Sequence, residues 1–320
     1  MFDGSAPKLL PRFDLARTAR HKSRVTNAPP KIFDASLVRL RLARALRGGA
    51  VDFLLARAVE DLLDRLGAIK RAFPRVLDLG TPTPLLATGL APRMAERLVR
   101  AAPISEAVGV GPWEGNVADH EALPFEPESF DLVVSALSLQ FVNDLPGALV
   151  QIRRVLAPDG LFLGCLIGGQ TLHELRSVFA QAEEAITGGA SPRVAPFGDL
   201  RDMGGLLQRA GFALPVADID SVTVRYENVF ALMRDLRAMG ATNALDQRSR
   251  RPLRRAVLMR AAEIYAERFA DADGRIRATF ELIWLSGWAP HQSQQQPLRP
   301  GSAKMRLADA LGVKESKLEP

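Results

Sequence analysis

The stretch from residue 75 to residue 90, RVLDLGTPTPLLATGL, decides the fold of this chain. Its first five residues are mostly branched aliphatic. The run ends in Asp78-Leu79 and is followed by Gly80, a pattern typical of a buried strand that leads into a ligand-binding turn. Such a turn usually carries further glycines, because backbone N–H groups must face the ligand. Pro82 and Pro84 stand there instead, and proline has no N–H to donate. The stretch predicts a strand–turn–helix unit of an α/β protein with an altered turn.

Strand and helix patterns alternate on both sides of this unit. Residues 32–73 have apolar side chains at three- and four-residue spacing, interrupted at 48–49, which predicts two helices before the first strand. Further buried strands are predicted at 106–111 (EAVGVG), 130–137 (FDLVVSAL) and 161–169 (LFLGCLIGG). An amphipathic helix precedes the last of them, capped by Asn143 or Asp144 and stopped by Pro158-Asp159-Gly160. Such short strand–helix–strand connections indicate a mostly parallel sheet.

The alternation loosens beyond residue 169. The pattern predicts two late strands, at 215–226 and 276–288, among helices at 171–186, 199–212, 230–240 and 253–270. We expect these strands to pair antiparallel at one edge of the parallel sheet, with the inserted helices forming a lid. The predicted organisation is a flexible basic leader (1–31), an N-terminal helical segment (32–73), a Rossmann-like core (74–169) and a C-terminal part of the same sheet (170–320).

Charge and composition exclude several classes of function. The chain has a net charge of +6, and residues 1–31 hold seven Lys or Arg against Asp3 and Asp14, so the leader supplies five of these charges. A nucleic-acid-binding role is not expected, because the remainder is almost neutral. The leader is predicted to touch acidic surfaces, to direct targeting or to be a plain solvated tail. No apolar run is long enough to span a bilayer, and Cys165 lies in an apolar run as a core residue, so we expect a cytoplasmic protein.

Several segments together resemble a known family. They are DLG at 78–80, VADHEALPF at 117–125, GGQTLHELR at 168–176, RVAPFGDLRDMGGLLQRAGF at 193–212 and the stretch from 286 to 312. Their order and spacing are similar to those of class I S-adenosylmethionine-dependent methyltransferases. Within that class they resemble the branch that contains the malonyl-carrier-protein methyltransferase of biotin synthesis, and the methyltransferase-like assembly factors of respiratory complex I in their alphaproteobacterial form.

The resemblance implies a fold, a cofactor and a substrate. The fold is a Rossmann-like sheet of seven mostly parallel strands, and the cofactor is S-adenosylmethionine. The substrate is a protein, such as a complex I subunit, whose side chain is methylated or whose arginine is hydroxylated. We expect a location in the bacterial cytoplasm, at the membrane surface, or in the mitochondrial matrix if the source is a eukaryote.

The resemblance also assigns candidate site residues. Asp78, Gly80 and Ser138 would hold the cofactor, and Asp119 would accept a hydrogen bond from its adenine. Gln140 stands where the family often has a histidine, at a position that can face the reacting group. The alternative is that Gln140 is a polar loop residue without a role in the reaction. A second weak candidate for the substrate side follows the last strand, at His291.

The chain departs from the family pattern at two places. Pro82 and Pro84 replace turn glycines, although Thr83 is able to cap a following helix whose first residue is Pro84. Gly111 is predicted to stand where an acid should bind the ribose, with Glu114 as the nearby substitute. These departures favour an alternative, in which the protein is a non-catalytic pseudo-methyltransferase that chaperones a respiratory subunit.

Two other groups of residues have simpler interpretations. The four histidines, His21, His120, His173 and His291, lack metal-ligand spacing, so no metal site is predicted. A basic cluster has two interpretations, contact with an acidic partner or membrane headgroup, or the solvated face of a helix; it comprises Arg248, Arg250, Arg251, Arg254 and Arg255.

Overall fold

The computed structural model describes residues 31–93 and 96–295, and the elements below belong to one unit that begins at Ile32. The helices are α1 (Ala35–Arg47), α2 (Phe53–Gly67), α3 (Leu85–Leu90), α4 (Ser105–Val108), α5 (Leu145–Val155), α6 (His173–Thr187), α7 (Leu200–Arg209), α8 (Val229–Ala238) and α9 (Arg255–Phe269). The strands are β1 (Arg75–Leu79), β2 (Arg97–Ala102), β3 (Glu114–Val117), β4 (Phe130–Ala136), β5 (Leu156–Ile167), β6 (Ala213–Tyr226) and β7 (Ile276–Trp288).

The seven strands of this unit form one sheet in the order β3-β2-β1-β4-β5-β7-β6. Strands β1 to β5 are parallel, whereas β7 pairs antiparallel with both β5 and β6. The predicted Rossmann-like α/β fold and its antiparallel edge are therefore confirmed. The strand order reverses between β1 and β4, and ligands of open α/β sheets bind beyond the carboxyl ends of the strands at such a point.

Helices cover both faces of the sheet and bury two apolar clusters. One cluster lies against α2, α3, α6, α8 and α9, and the other lies against α5 and α7. Neighbouring residues of β4 alternate between them, because Leu132 and Val134 face the first cluster and Val133 faces the second. Cys165 belongs to the first cluster and its burial raises the pKa of the thiol, so the prediction that it is a core residue is confirmed.

The prediction for the second strand is wrong. Residues 106–111 contain the end of α4 and a loop, whereas β2 is Arg97–Ala102, with the sequence RLVRAA. This segment is apolar except for two arginines. A charged residue in the middle of a segment normally indicates exposure, so the sequence pattern does not predict a buried strand here. Arg100 is fully buried all the same, since it pairs with an acid on the neighbouring strand.

The end of α5 also differs from the prediction. Of the two predicted N-cap residues, Asn143 and Asp144, the N-cap is Asp144. Its carboxylate accepts a hydrogen bond from the backbone N–H of Gly147 at 2.8 Å. The helix ends at Val155, however, and Leu156 already begins β5, so Pro158-Asp159-Gly160 lies within the strand and does not stop the helix. Pairing of Leu156 with Phe130 starts the strand early, and a register shift between Phe130 and Leu132 accommodates the turn-forming residues.

Some predictions concern residues that are not described. The leader up to residue 30, His21 included, and residues 296–320 lie outside the described residues. The domain boundaries at 31, 73 and 169 stay predictions. Among the helices described, none is long and apolar enough to cross a membrane. Over 31–93 and 96–295, no group of three His, Cys, Asp or Glu side chains is arranged to hold a metal ion.

Candidate functional site

The carboxyl ends of β1 and β4 bring together three of the predicted cofactor residues. Asp78 is the fourth residue of β1, Gly80 follows that strand, and Ser138 follows β4. The hydroxyl of Ser138 donates to the carbonyl of Leu79 at 3.4 Å, which holds the two strand ends against each other. These residues lie at the reversal point of the sheet, but their contacts determine what they are able to bind.

The carboxylate of Asp78 is occupied by other residues of the chain. Asp78 and Arg100 are both fully buried and form an ion pair, and the Thr81 hydroxyl donates to Asp78 at 2.5 Å. Burial raises the pKa of Asp78 to about 6, although Arg100 and Thr81 both lower it. The carboxylate is therefore ionised at neutral pH and already satisfied by internal partners.

Arg100 joins this carboxylate to the loops around it. Its guanidinium donates to the carbonyl oxygens of Thr81 at 2.6 Å, Ala107 at 2.7 Å and Val108 at 3.0 Å. One buried side chain thus ties β1, the turn after it and helix α4 together. Sequence analysis missed this residue, because nothing in the local pattern shows that a strand arginine will face a buried acid.

The side chain of His120 lies directly against Gly80. Gly80 has a φ of +76°, and a Cβ built there would lie 2.5 Å from Ser138 Oγ and 2.9 Å from His120 Cε1. His120 is only 8% exposed, and its Nε2 lies 3.3 Å from Ser138 Oγ, which also contacts Ser135 Oγ at 3.1 Å. The imidazole and the two serines therefore fill the space above the turn. The sequence offered no signal for this placement, because His120 stood as one of four scattered histidines.

Burial of this imidazole predicts a dependence of stability on pH. Burial lowers the pKa of His120 to about 4, with Asp119 and Glu121 opposing the shift. The unfolded chain therefore takes up a proton near pH 6.5 that the folded chain takes up only near pH 4, so stability falls as the pH falls through this window. We expect His120 to contribute about 3 kcal/mol less to the free energy of unfolding at pH 4 than at pH 7. Urea denaturation of the wild type and of His120→Leu at several pH values measures this dependence. Subtracting the two free energies of unfolding removes the contribution of Asp78, which titrates in both proteins. A difference in free energy that does not change with pH would contradict the prediction.

The predicted adenine contact, Asp119, lies at the surface near this turn. Its side chain is 48% exposed and accepts a hydrogen bond from Arg39 of α1 at 2.7 Å. Its other oxygen accepts from the backbone N–H of Glu121 at 3.0 Å. Both oxygens thus have partners within the chain.

The position expected for a ribose-binding acid needs correction. Because β2 ends at Ala102, this buried alanine stands at the carboxyl end of the strand, and Gly111 does not. Glu114 is not a substitute either, since it begins β3 and pairs with Arg97, the first residue of β2, at 2.7 Å. In the register of the sheet Glu114 lies level with Val99 of β2 and Leu77 of β1, before the turn, and its carboxylate reaches back toward the beginning of β2.

The turn itself enters its helix one residue later than predicted. Helix α3 begins at Leu85, Pro84 precedes it with a φ of −66°, and no side chain caps it. Thr83 is therefore not the cap, and its buried hydroxyl has no hydrogen-bond partner among the described residues. The carbonyl of Pro84 accepts from the N–H of Thr88 at 2.9 Å, so the fixed dihedral angle of proline starts the helix without a capping side chain.

A separate cavity of about 350 Å³ lies beyond the ends of β4 and β5. It is lined by Gln140, by Leu166 and Ile167 at the end of β5, and by two charged residues of α7, Asp202 and Arg209. The amide of Gln140 donates to the carbonyl of Leu137 at 2.8 Å, and its Oε1 is buried without a donor among the described residues. A residue that lines the cavity therefore has a buried acceptor without a partner in the described part of the chain.

The segment before α1 forms one wall of this cavity. Asn143 Oδ1 accepts from the backbone N–H groups of Ile32 at 2.8 Å and Phe33 at 2.7 Å, and its amide donates to the carbonyl of Phe33 at 3.1 Å. These three bonds hold the segment beside the loop that follows β4. None of Asp78, Gly80, Asp119 and Ser138 lines the cavity, so it is distinct from the turn.

The structure does not bring His291 to either place. His291 follows β7, whose last residue, Trp288, pairs with Leu161, six residues before the carboxyl end of β5, and the chain continues from there away from that end. It therefore lies at the opposite edge of the sheet from Ser138 and Gln140, where it is exposed and contacts the Ser293 hydroxyl at 2.7 Å. His291 lies far from the predicted site because β7 runs antiparallel to β5. The carboxyl end of β7 therefore points away from the carboxyl end of β5.

Comparison with known proteins identifies the fold and its relatives. A family model described as a methyltransferase domain matches residues 77–164. The chain is 38% identical over 286 residues to arginine-hydroxylase NDUFAF5, mitochondrial, of Danio rerio, covering 87% of this chain and 89% of that protein. It is 35% identical to malonyl-[acyl-carrier protein] O-methyltransferase of Halorhodospira halophila, over 82% and 90% of the two chains. The structure of a candidate methyltransferase from Bacillus halodurans has a TM-score of 0.51 at 17% identity, with 72% of this chain and all of that one aligned.

S-adenosylmethionine is the cofactor that this fold implies, as the sequence predicts. The residues at the turn nevertheless do not fit it as arranged in this structure. His120 and Ser138 occupy the space in which a Cβ at Gly80 would lie, and Asp78 is paired with Arg100. The cavity beyond β4 and β5 is a separate part of the described carboxyl edge that has room for a ligand.

Proposed function

Because the chain belongs to the family of methyltransferase-fold proteins that contains arginine-hydroxylase NDUFAF5, we propose that it modifies a protein side chain during the assembly of respiratory complex I. The similarity covers 89% of the zebrafish relative, so it extends well beyond the methyltransferase core. The modification would be a methylation, with S-adenosylmethionine as the methyl donor, or an arginine hydroxylation, which needs an external oxidant to supply the oxygen atom. The substrate would be a complex I subunit.

The cavity beyond β4 and β5 is the observation that carries this proposal. A volume of about 350 Å³ suits one long side chain, and pockets of this size commonly hold small ligands. The carboxylate of Asp202 is an acceptor that suits the N–H groups of a guanidinium. The unpaired Oε1 of Gln140 is buried, and a rotation of this side chain would turn it toward the cavity as a second acceptor. Arg209 at the same cavity would attract an acidic or backbone carbonyl group of the substrate. We propose Gln140 as the residue that orients the substrate side chain.

A second candidate function is that of a non-catalytic assembly chaperone. The closed turn around Gly80 favours it, because a protein that only binds a subunit needs no cofactor. The same cavity and the same partner protein would then serve binding alone.

The location follows from the same family. We propose that the protein acts in the bacterial cytoplasm, or in the mitochondrial matrix if the source is a eukaryote, with no nucleic-acid partner. Four of the five arginines of the basic cluster, Arg250, Arg251, Arg254 and Arg255, are exposed, which suits contact with an acidic membrane surface. Arg248 instead pairs with Asp34.

Deletion of the gene tests both candidates. We expect the deletion strain to lose NADH:ubiquinone oxidoreductase activity and one modified side chain in a complex I subunit, detected by mass spectrometry of the isolated complex. Complementation with the wild-type gene should restore both, and Gln140→Ala should restore the modification at least tenfold less efficiently if Gln140 orients the substrate. Thr88→Ala, an exposed change away from the cavity, is the matched control.

Three outcomes separate the possibilities. Loss of both activity and modification supports side-chain modification, whereas loss of activity with every subunit mass unchanged supports the chaperone. Normal amounts of active complex I in the deletion strain would contradict both.

A further inference from the structure

We infer that this chain has closed the S-adenosylmethionine cleft of its fold with its own side chains and does not bind the cofactor there. The inference is independent of the proposed substrate but bears on the proposed reaction, because a closed cleft holds no methyl donor and therefore favours the chaperone or a modification that does not use this cofactor. It follows from three separate contacts along the carboxyl edge of β1, β2 and β3, which correspond to the methionine, ribose and adenine parts of a bound nucleoside.

The first contact concerns the turn after β1. A cofactor in this fold must approach the backbone at the first glycine of the turn, for which Gly80 has the required positive φ of +76°. The imidazole of His120 already lies there, so close that even a methyl group at residue 80 would overlap its Nε2. His120 and Ser138 are both buried, and the hydrogen-bonded group continues to Ser135, so this is a packed part of the core.

The turn beyond Gly80 is closed as well. Pro82 and Pro84 have no N–H groups, so neither residue is able to donate to a ligand. The carbonyl of Thr81 accepts from Arg100 at 2.6 Å, which draws this part of the turn toward the interior of the protein. The turn therefore presents neither space nor the usual set of donors.

The second contact concerns Asp78. An acid at this position serves a ligand only if a lone pair of its carboxylate is accessible from the cleft. Here one oxygen accepts from the Thr81 hydroxyl and the other from Arg100, and both Asp78 and Arg100 are fully buried. Removing the partner would leave an uncompensated buried charge, so a ligand could not displace Arg100 at low cost.

The third contact concerns the ribose and adenine ends. Ala102 stands at the carboxyl end of β2, where a carboxylate would accept the ribose hydroxyls. Asp119, at the adenine end, is paired with Arg39 and with the N–H of Glu121. The guanidinium of Arg39 and a backbone N–H of the loop after β3 thus each donate to one oxygen of this carboxylate.

The combined effect on affinity is large. Loss of the ribose acid and of one donor in the turn removes two charge-assisted or well-placed hydrogen bonds, which corresponds to about a thousandfold weaker binding. Such a loss turns a micromolar dissociation constant into a millimolar one, before any cost of moving His120 is counted. The scaffold is unaffected, because β1, the turn and α3 keep their connection through Pro84.

Calorimetric titration of the full-length protein with S-adenosylmethionine and with S-adenosylhomocysteine tests the inference. The malonyl-[acyl-carrier protein] O-methyltransferase relative serves as the positive control for the titrant. We expect no saturable heat up to millimolar concentrations. The ring signals of His120 are followed by NMR in the same samples and are assigned with His120→Gln.

Each outcome decides the question. Absence of binding supports closure, and so does binding that leaves the His120 ring signals unchanged, since the ligand then lies elsewhere. Saturable micromolar binding that shifts those signals would overturn the inference. None of these results alters the outcome of the gene deletion, so failure here is distinguishable from failure of the proposed function.

Discussion

Replacement of Arg100 by methionine is expected to lower the free energy of unfolding by about 5 kcal/mol. The change leaves the carboxylate of Asp78 buried without its cation, and breaking a buried pair from one side costs roughly 3 to 5 kcal/mol. It also removes donors from the carbonyl oxygens of Thr81, Ala107 and Val108. Urea denaturation followed by circular dichroism measures the loss.

Two further variants show whether the buried charge is the cause. Arg97→Met removes an arginine from the same strand, but Arg97 and its partner Glu114 are exposed, so we expect a loss of less than about 1 kcal/mol. The double variant Asp78→Leu with Arg100→Met replaces both charges by apolar groups and should recover the part of the loss that is due to the unpaired charge, but not the hydrogen bonds to the three carbonyl oxygens. Equal losses for Arg97→Met and Arg100→Met, or no recovery in the double variant, would contradict the burial of this pair.

Gly80→Ala is expected to cost about 3 to 5 kcal/mol. The added methyl group would overlap His120 and lie 2.5 Å from Ser138 Oγ, and a φ of +76° adds strain for any residue with a Cβ. The measurement is again the free energy of unfolding in urea. Gly211→Ala is the matched control, because Gly211 has a φ of +84° but no atom within 4 Å of its added Cβ, so it reports the backbone strain alone.

The second control separates the overlap with His120 from other effects. His120→Gly in the Gly80→Ala background removes the ring that the methyl group meets. We expect the double variant to lose less stability than the sum of the two single losses, by about 1 to 3 kcal/mol. Additive losses, or a Gly80→Ala cost no larger than that of Gly211→Ala, would show that His120 does not lie over the turn.

Local sequence patterns predict the structure correctly where it depends on the residues of a single strand or helix. The apolar run of β1 and the residues after it predicted the strand and turn, and Asp144 was correctly included as a cap of α5. The antiparallel edge formed by β6 and β7 agrees with the expectation as well, since two late strand patterns separated from the regular strand–helix alternation are accommodated at one edge of a parallel sheet.

The same patterns failed where the neighbour of an element decided its structure. Strand β2 was missed because Arg100 looked exposed, and Pro158-Asp159-Gly160 looked like a stop because pairing of Leu156 with Phe130 cannot be read from α5. The displaced ribose position followed from the first error, since Gly111 was counted from the wrong strand. His291 was placed on the wrong edge because sequence order does not give the direction of the last strand relative to the site.

The sequence by itself determined the family of this protein, its alternating α/β order and the loss of two turn glycines to Pro82 and Pro84. Only the tertiary structure decided that Asp78 is paired with Arg100, that His120 fills the space over Gly80, and that an open cavity lies beside Gln140. The physical reason is that periodicity shows which side of a strand or helix is apolar, whereas burial of a charge or an imidazole depends on a partner from a distant part of the chain.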